Sequence, residues 1–412
     1  MGLIVQKFGG TSVGTIERIQ KVADRIIQTK SKGKDVVAVV SAMGKSTDVL
    51  VDMAKQISSN PSDREMDMLL TTGEQVTIAL LCMALQEKGC PAVSMTGWQA
   101  GIETESIHSR ARIKEIENKK IQEALSQGKV VIVAGFQGVT ADGEITTLGR
   151  GGSDTTAVAL AASLKAELCE IYTDVVGVYT ADPRIAPQAQ KLDRISFDEM
   201  LELATLGAGV LHPRAVECAK KHSVKLTVRS SFSDEEGTII EEEKDMEKGL
   251  IVSGVAHDEQ VAKVTVTNMS NQIGTLSSLF TTLAEAHINV DVIIQSSYEA
   301  ALTNISFSVS GDDLDRTLEI LRLNQEKLNY EEVIYEKGLA KVSIVGAGMV
   351  TNPGVAANMF KVLAEANVNI KMVSTSEIKV SCIIPAELTQ TAVKSLHTAF
   401  GLDVAETAMV QG

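Results

Sequence analysis

Two glycine-rich segments of this 412-residue chain contain residue types that bind phosphate. The first, Lys7-Phe8-Gly9-Gly10-Thr11-Ser12, follows an apolar run and precedes a helical pattern. Glycines let the backbone approach a phosphate closely, and the free N–H groups of a helix N-terminus favour its negative charge. A plain tight turn is the alternative. The lysine before the glycines and the Thr-Ser pair after them favour phosphate binding.

The second segment, residues 147–156, has the sequence TLGRGGSDTT and runs into an alanine-rich helix predicted at 157–166. Ser153 or Asp154 could serve only as a helix N-cap, but capping does not explain an arginine, Arg150, among three glycines. We therefore predict that both loops meet at one phosphoryl site. There Lys7 and Arg150 would supply positive charge, and Asp154 would position these cations and bound water or Mg²⁺.

A third segment, residues 172–184, follows a predicted strand and so lies at the carboxyl end of a sheet, where α/β folds bind ligands. Asp174 could accept from ribose hydroxyls and Tyr179 could pack on a base, with an ordinary loop as the alternative. Two other segments resemble nucleotide motifs but are incomplete. The run Met43–Ser46 lacks the first Walker A glycine, and Gly346-Ala347-Gly348 lacks the third dinucleotide glycine.

These segments need a scaffold, and the first half of the chain predicts a parallel α/β sheet. Apolar, β-branched runs alternate with helical patterns there. The predicted strands are 3–8, 36–40, 130–133, 168–172 and 226–228, and the first is followed by a helix to about residue 30.

An internal repeat follows a charged stretch at 235–248. The run LAEAHINV at 283–290 matches LAEANVNI at 363–370, and Gly274 matches Gly354 at the same offset. Each copy predicts a strand, a glycine-containing loop, a helix, two strands and a helix. This order is typical of a ferredoxin-like α+β unit.

Composition excludes several classes of protein. A net charge of −14 with 3% aromatic residues disfavours nucleic-acid binding. The five cysteines are scattered without metal-binding spacing, which indicates reduced thiols and a cytoplasmic protein. We find no signal peptide and no run near the about 18–20 apolar residues of a membrane span.

Taken together, the motifs resemble the aspartokinases of the amino-acid kinase superfamily, of the bacterial lysine-responsive kind with paired ACT domains. They are Lys7–Ser12, Val40–Met43, Thr72–Glu74, Gly135–Phe136, Gly149–Asp154, Thr173–Asp174 and Thr180–Arg184. The resemblance implies a carbamate-kinase-like α/β/α sandwich over residues 1–245, a linker at 246–262, and ACT domains at 263–340 and 341–402. In one version of this arrangement, the second ACT domain is inserted into the first, and residues 403–412 complete the first ACT domain.

The resemblance also implies an activity. ATP and L-aspartate would give ADP and 4-phospho-L-aspartate, with Mg²⁺, as the first step toward lysine, threonine and methionine. Lys7, Asp154 and Arg150 correspond to the catalytic residues, and no residue is assigned as a metal ligand. The implied ATP contacts are Lys7, Phe8, Gly9, Gly10, Thr173, Asp174, Tyr179, Asp182, Arg184 and Gly209. The implied aspartate contacts are Ser41, Thr47, Glu74, Arg150 and Ser153. Among these, Glu74 suits the α-ammonium group and Arg150 the α-carboxylate.

One position departs from the family pattern. Many relatives have lysine where this chain has Gly209, so a contact to the nucleotide phosphates is in doubt there. Arg214, about one helical turn later, is a hypothetical substitute.

The paired ACT domains imply a dimer or larger assembly that binds lysine, alone or together with threonine, between chains. The corresponding positions are Asn271, Gly274, Leu276, Asn289, Asp291 and Gln295 in the first copy and Asn367, Asn369, Ile370, Ser376 and Glu377 in the second. Asp291 could hold an ammonium group or could be a solvated carboxylate. An internal start at Met246 would produce a separate regulatory subunit, as in some relatives.

Two alternatives stay open at this point. A glutamate kinase of the same fold differs only in pocket length, which the sequence does not reveal. A catalytically silent amino-acid sensor is disfavoured because both Lys7 and Asp154 are present. An ADP-release assay with aspartate, glutamate and no acceptor discriminates among the three.

Overall fold

The computed structural model describes residues 2–207, 209–242, 251–299 and 302–404. Its internal contacts divide the chain into two compact units. The first comprises Met1–Val178, Lys191–Thr205 and Gly209–Met246, and the second comprises Tyr179–Gln190, Leu206–Ala208 and Glu247–Gly412.

Twelve strands are described in the first unit. They are β1 Leu3–Phe8, β2 Asp35–Val40, β3 Ala92–Met95, β4 Ile102–Thr104, β5 Ile113–Ile116, β6 Val130–Ala134, β7 Gln137–Val139, β8 Ile145–Thr147, β9 Leu168–Thr173, β10 Arg194–Ser196, β11 Leu226–Ser230 and β12 Thr238–Glu241. The described helices of this unit are α1 Ile16–Ser31, α2 Ser46–Ile57, α3 Asp63–Leu70, α4 Thr72–Glu87, α5 Lys119–Ser126, α6 Gly152–Ser163, α7 Phe197–Thr205 and α8 Pro213–His222.

Eight of these strands form one twisted sheet in the order β10-β12-β11-β9-β1-β2-β6-β3. Neighbours are parallel except β11 and β12. The central strands β2 and β6 are fully buried over most of their length, as their runs of valine, isoleucine and alanine predict. All five predicted strands are present, and the carboxyl ends of β1 and β9 are adjacent because Phe8 pairs with Tyr172. A smaller sheet has the order β5-β4-β7-β8.

One predicted helix begins earlier than expected. Helix α6 starts at Gly152, not at Ala157, and ends at Ser163. The left-handed backbone of Gly151 (φ 68°) ends the glycine loop, and the Ser-Asp-Thr-Thr residues that resemble a loop form the first helical turn.

Helices α3 and α4 make one helical stretch, Asp63–Glu87, that is long and apolar enough to cross a membrane by length and composition alone. The sequence prediction missed this stretch because it sought an uninterrupted apolar run. Its inward residues, including Ile78, Leu81 and Leu85, are buried in the core around β2 and β6. Core packing against the sheet explains the apolar composition of α4.

The second unit contains the repeat. Its described elements are β13 Gly254–Ser270, α9 Thr275–Glu285, β14 Ile293–Glu299, β15 Leu302–Ser310, α10 Leu314–Leu323, α11 Gln325–Leu328, β16 Val333–Val345, α12 Val355–Glu365, β17 Met372–Thr375, β18 Lys379–Pro385 and α13 Thr389–Ala399. Short 3-10 helices lie at Gly311–Asp313, Ala347–Val350 and Ala386–Leu388.

The two copies have the predicted order of elements. Gly274 and Gly354 both precede a helix in the left-handed conformation, with φ of 100° and 98°. Leu279 and Leu283 of α9 are buried in one core, and Met359 and Leu363 of α12 are buried in another. The eighty-residue offset read from the sequence therefore corresponds to equivalent positions in space.

The expected boundaries between the copies fall inside strands, because β13 and β16 are continuous and pair with strands of both copies. One antiparallel sheet has the order β14-β15-β13-β16-β18-β17. Residues 254–262, expected in a linker, already belong to β13, and the expected boundary at 340/341 falls within β16. The pairing of β13 with β16 shifts register between Asp258 and Lys263, as at a β-bulge.

Residues 179–190, which were predicted to belong to the kinase domain, have their contacts in the second unit. Ala181 and Ala186 are buried in the core of the second repeat with Val255 and Leu396. The Thr180 hydroxyl lies 2.9 Å from Nε2 of the buried His397. The predicted return of residues 403–412 and the start at Met246 concern residues that lie almost wholly outside the described ranges.

Candidate active site

A short ion pair joins the two glycine loops of the first unit. The Nζ atom of Lys7, at the end of β1, lies 2.6 Å from Oδ1 of Asp154 on the first turn of α6. The two side chains are only 11% and 13% exposed. At this burial a charge is retained when a partner compensates it. The predicted meeting of the loops therefore occurs, through the two residues implied to act together.

The first loop is shaped by backbone contacts. Gly9 donates its N–H to the Tyr172 carbonyl at 3.2 Å, and Gly10 accepts from the N–H of Gly44 at 3.0 Å. A Cβ on Gly10 would stand 3.0 Å from the Ala42 carbonyl oxygen. A Cβ on Gly9 would stand 3.4 Å from the Lys7 ammonium. The glycines thus leave the ammonium and the loop backbone uncovered by side chains.

The second loop turns sharply around its exposed arginine. Gly149 and Gly151 have positive φ angles of 75° and 68°, and Arg150 between them is exposed. A Cβ on Gly151 would stand 2.2 Å from the Cβ of His212, so only glycine fits there. The pKa of His212 is lowered by burial and by the neighbouring Arg214 and Arg150, although Asp154 opposes this.

Ser153 lies at the start of α6, beside the end of β6. A Cβ on Gly135 would stand 2.7 Å from the Ser153 hydroxyl, so glycine is required at position 135 by a close approach. Ser153 is 9% exposed. Its hydroxyl therefore faces the carboxyl end of the main sheet.

Glu74 is a buried carboxyl group with one unused oxygen. It lies in the first turn of α4 and is 3% exposed. Its Oε1 accepts from the Ala42 N–H at 3.1 Å, and its Oε2 has no hydrogen-bond partner. Burial raises its pKa to about 7, although the N–H groups of Glu74 and Ala42 lower it in part. Such a group favours a positively charged partner.

The contact with Ala42 ties Glu74 to the first glycine loop, because Gly10 packs on the same residue. Ser41, also predicted to bind substrate, donates its N–H to the Phe8 carbonyl at 3.1 Å. Thr47 is half-buried on the first turn of α2.

Of the predicted nucleotide contacts, Thr173 ends β9 and Asp174 follows it, next to the first loop. The Thr173 hydroxyl donates to the Asp174 carboxylate at 3.0 Å. Gly209 also lies in the first unit and has a φ of 65°.

The other predicted ATP residues, Tyr179, Asp182 and Arg184, lie in the second unit. Arg184 donates to the Asp182 carboxylate from Nε and Nη2, the shortest distance being 2.7 Å. This pairing lowers the pKa of Asp182. A joint role of these three residues with the first unit stays a prediction.

Arg214, the hypothetical substitute for the lysine that this chain lacks at Gly209, makes hydrogen bonds to the backbone. Its guanidinium donates to the Leu148 carbonyl at 2.5 Å and to the Ala111 carbonyl at 3.0 Å. Both acceptors belong to the backbone under the second glycine loop. Arg214 lies on the first turn of α8, which His212 caps and Pro213 begins, and this places its side chain beside the two carbonyls.

Sequence reasoning missed two polar residues that hold the loops, Asp67 and Ser231. Asp67 is fully buried and binds Thr147 and Ser109. The Ser231 hydroxyl lies 2.5 Å from that of Ser12, and its N–H donates to the Thr173 carbonyl at 2.8 Å. Ser231 could have been found, because it follows strand β11 at the carboxyl end of the sheet. Asp67 could not, because nothing marks it in its helix.

The predicted effector residues are partly brought together. In the first copy, Gln295 donates to Asn271 at 3.4 Å, Gly274 caps α9, Leu276 is 38% exposed and Asn289 is exposed. Asp291 already holds an ammonium group, since Nζ of the buried Lys341 lies 2.5 Å from its Oδ2.

In the second copy, the predicted positions follow α12 or lie in the turn between β17 and β18. Asn367 has a φ of 55°, equivalent to His287 at 57° in the first copy. Ser376 donates its N–H to the Lys379 carbonyl at 2.8 Å, which closes the turn. Asn369 and Glu377 are exposed and Ile370 is half-buried.

Comparison with known proteins identifies the same two parts. The amino acid kinase family model matches residues 2–230, and an ACT domain model matches residues 264–324 and 342–400. An aspartokinase of Bacillus sp. (strain MGA3) is 63% identical over 402 residues, which is 98% of each chain.

Solved structures of an aspartokinase are similar to this chain over nearly its whole length. E. coli aspartokinase III in complex with aspartate and ADP (R-state) has a TM-score of 0.82 at 26% identity, covering 96% of this chain and 99% of that chain. The same enzyme in complex with lysine and aspartate (T-state) has a TM-score of 0.76 at 26% identity, covering 97% and 99%. With its paired glycine loops and Lys7–Asp154 contact, this chain belongs to the aspartokinases of the amino acid kinase family, which are ATP-dependent kinases.

Proposed function

We propose that the first unit transfers the γ-phosphoryl group of ATP to the side-chain carboxylate of L-aspartate. An oxygen of that carboxylate would form the new bond to phosphorus, while the bond to the β,γ-bridging oxygen breaks and ADP leaves. The acceptor is already an anion at neutral pH, so the reaction needs no general base. The protein must instead neutralise and position negative charge.

The observation that carries this proposal is the ion pair between Lys7 and Asp154. It fixes an ammonium group over the glycine backbone of the first loop, in a nearly buried position. A preorganised cation stabilises charge developing on the transferred phosphoryl group without reorganising during the reaction. Asp154 would hold that cation in place, and Gly9 and Gly10 would let the phosphate approach.

Two groups of opposite charge suit the two charged groups on the α-carbon of aspartate. The unpaired oxygen of Glu74 is available for the α-ammonium group, and the exposed guanidinium of Arg150 for the α-carboxylate. Ser41, Thr47 and Ser153 would add hydroxyl contacts. Glutamate would place its side-chain carboxylate one methylene further, so this pair of anchors also gives a reason for choosing aspartate.

ATP would lie along the carboxyl ends of β1 and β9, with Thr173 and Asp174 on its ribose side. Phe8, Tyr179, Asp182, Arg184 and Gly209 complete the proposed nucleotide contacts. Within the described residues no group of three or more His, Cys, Asp or Glu side chains could hold a metal ion. Mg²⁺ would be bound chiefly through the substrate phosphates with one or two carboxylates, where it would neutralise phosphate charge; Asp154, at the start of α6, would be one of these carboxylates.

The second unit would sense the end product lysine, alone or with threonine, at the interface of two chains. The T-state complex of E. coli aspartokinase III with lysine and aspartate supports this. Asp291, which pairs with Lys341 within the chain, would be the carboxylate of this site. The assembly would be at least a dimer in the cytoplasm, and all five cysteines are free thiols. A separate regulatory subunit from Met246 remains part of the proposal.

An ADP-release assay with aspartate, glutamate or no acceptor tests the activity. We expect turnover with aspartate and little with glutamate, and turnover with glutamate alone would contradict the assigned substrate. Repeating the assay with millimolar lysine, threonine or both tests regulation. Unchanged rates under all three conditions would refute feedback while leaving the kinase assignment intact.

A further inference from the structure

The base of the second glycine loop is fixed by a carboxylate that has no exposed surface. Asp67, on α3, is fully buried. It accepts a hydrogen bond from the Thr147 hydroxyl at 2.6 Å and from the Ser109 N–H at 3.0 and 3.1 Å, and Nδ1 of His108 lies 2.9 Å away. Hydrogen bonds to an ionised acceptor are stronger than neutral ones. Asp67 therefore connects α3 firmly to the end of β8 and to the turn at 108–109.

That turn lies directly under the first glycine of the loop. Ser109 has a positive φ of 66°, and its carbonyl oxygen would stand 2.9 Å from a Cβ on Gly149. The backbone at 149 is thus confined by the turn that Asp67 holds. A shift of Ser109 would be passed on to the loop through this contact.

Arg214 holds the loop from another side. Its Nη1 donates to the Leu148 carbonyl at 2.5 Å and its Nη2 to the Ala111 carbonyl at 3.0 Å. Ala111 in turn donates its N–H to the Thr147 carbonyl at 2.9 Å. One guanidinium therefore ties together the two backbone segments that Asp67 also joins. Both residues act on positions 147 and 148, immediately before Gly149 and Arg150.

We propose that Asp67 and Arg214 are positioning residues that fix the second glycine loop, so that the exposed Arg150 is aimed at the α-carboxylate of the substrate. This rests on the proposed function for the role of Arg150. Bidentate binding of a carboxylate depends on the orientation of the guanidinium. A loop arginine without such support would spend much of its time in other orientations, and misplacement of about 1 Å can cost about 10²-fold in rate.

The first test is Arg214→Gln, with steady-state kinetics for each substrate. We expect the KM for aspartate to rise by about 10- to 100-fold, while the KM for ATP stays unchanged. The matched control is Arg64→Gln. Arg64 is an exposed arginine whose ion pairs are with Glu65 and Glu144, so its replacement should leave both constants at their original values.

A double-mutant cycle separates positioning from general damage. If Arg214 acts through Arg150, Arg214→Gln will add nothing to the aspartate KM of Arg150→Ala. Additive effects, or equal increases in the KM for both substrates, would overturn the proposal. So would a normal aspartate KM in Arg214→Gln.

Asp67→Asn provides a second route if Arg214→Gln does not fold. Asparagine keeps one acceptor oxygen for Thr147 and Ser109, and thermal unfolding followed by circular dichroism checks the fold. In Asp67→Asn we expect the KM for aspartate to rise as in Arg214→Gln and the KM for ATP to stay unchanged. A change in the KM for ATP alone would refute the positioning role. If Arg150→Ala itself keeps a normal aspartate KM, the proposed role of Arg150 fails. If Arg150→Ala raises the KM for aspartate but Arg214→Gln and Asp67→Asn do not, the positioning inference fails while the proposed role of Arg150 stands.

Discussion

The two glycine loops of the first unit are held in place by different means. The glycines of the first loop, Gly9 and Gly10, are fixed by backbone hydrogen bonds to neighbouring strands and turns, and a hydroxyl contact between Ser12 and Ser231 holds the end of that loop. The loop around Arg150 is fixed at its base by side chains, those of Asp67 and Arg214. Their cations differ as well, because Lys7 is nearly buried in an ion pair whereas Arg150 is exposed.

From this difference we expect the two cations to have separate roles in catalysis and in substrate binding. A fixed, nearly buried cation suits charge that develops during the reaction, because no solvent has to reorganise around it. An exposed cation on a braced loop suits a substrate that must enter and leave. Lys7 should therefore influence mainly turnover, and Arg150 mainly the binding of aspartate.

The largest expected effect comes from breaking the buried ion pair. Asp154→Asn leaves the Lys7 ammonium without its compensating charge. We expect kcat to fall by about 10²- to 10³-fold and the free energy of unfolding to fall by about 3 kcal/mol. Steady-state kinetics and urea denaturation measure the two.

Glu167→Gln is the matched control for that change. Glu167 pairs with Lys34 at 2.5 Å, but its side chain is 57% exposed. Exposed pairs contribute about 0–1 kcal/mol, so kinetics and stability should hardly change. Equal losses in the two variants would mean that the burial of the Lys7 pair is unimportant.

Alanine substitutions compare the loops themselves. Gly151→Ala combines a positive φ with a contact of 2.2 Å to His212, whereas Gly10→Ala meets the Ala42 carbonyl at 3.0 Å. We expect Gly151→Ala to lower the melting temperature and nearly abolish activity. Gly10→Ala should fold and raise chiefly the KM for ATP. A more damaging Gly10→Ala would contradict the geometry.

A smaller effect is the pH dependence due to Glu74, whose pKa burial raises to about 7. Below that pH the protonated group cannot pair with the substrate ammonium, so kcat/KM for aspartate should rise with pH through about 7 and then level off. Glu74→Gln should lower kcat/KM and flatten this part of the profile.

The raised pKa of Glu74 also affects stability. The stability this group contributes is fully present at low pH and is lost as pH rises through about 7, because the buried carboxylate becomes charged. Aspartate should therefore raise the melting temperature more at pH 8 than at pH 5.5. An equal shift at both pH values would argue against Glu74 as the ammonium partner.

The smallest effect on catalysis is expected for a change at Asp291, which is far from both loops in sequence. Asp291→Asn removes the carboxylate that Lys341 now occupies. Without effector, kcat should be normal, whereas the concentration of lysine for half-inhibition should rise by about 5- to 100-fold. Unchanged inhibition would exclude Asp291 from the sensing site.

Much of this arrangement could be predicted from the sequence. Strands such as Val36–Val40 are marked by β-branched runs, and the repeat is marked by matching residues. Lys7 and Asp154 could be paired before the structure because each lies in a glycine loop at a helix start. Local pattern and residue chemistry agree at these positions.

What could not be predicted depends on contacts distant in sequence. The sequence around Arg214 does not tell whether its side chain faces a nucleotide or the Leu148 carbonyl. Only the folded structure distinguishes the two. Residues 179–190 lie within the kinase sequence yet pack with α13, some two hundred residues later. The strands β13 and β16 contain polar residues at register shifts, which hid their continuity.

The most direct test of this account compares Lys7→Ala with Arg150→Ala in the same aspartate kinase assay. Lys7→Ala is predicted to lower kcat by about 10³-fold with little change in the KM for aspartate. Arg150→Ala is predicted to raise that KM by about 10²-fold with a smaller loss of kcat. Near-normal kcat in Lys7→Ala, or the same kinetic profile for both variants, would contradict the division of labour between the two loops.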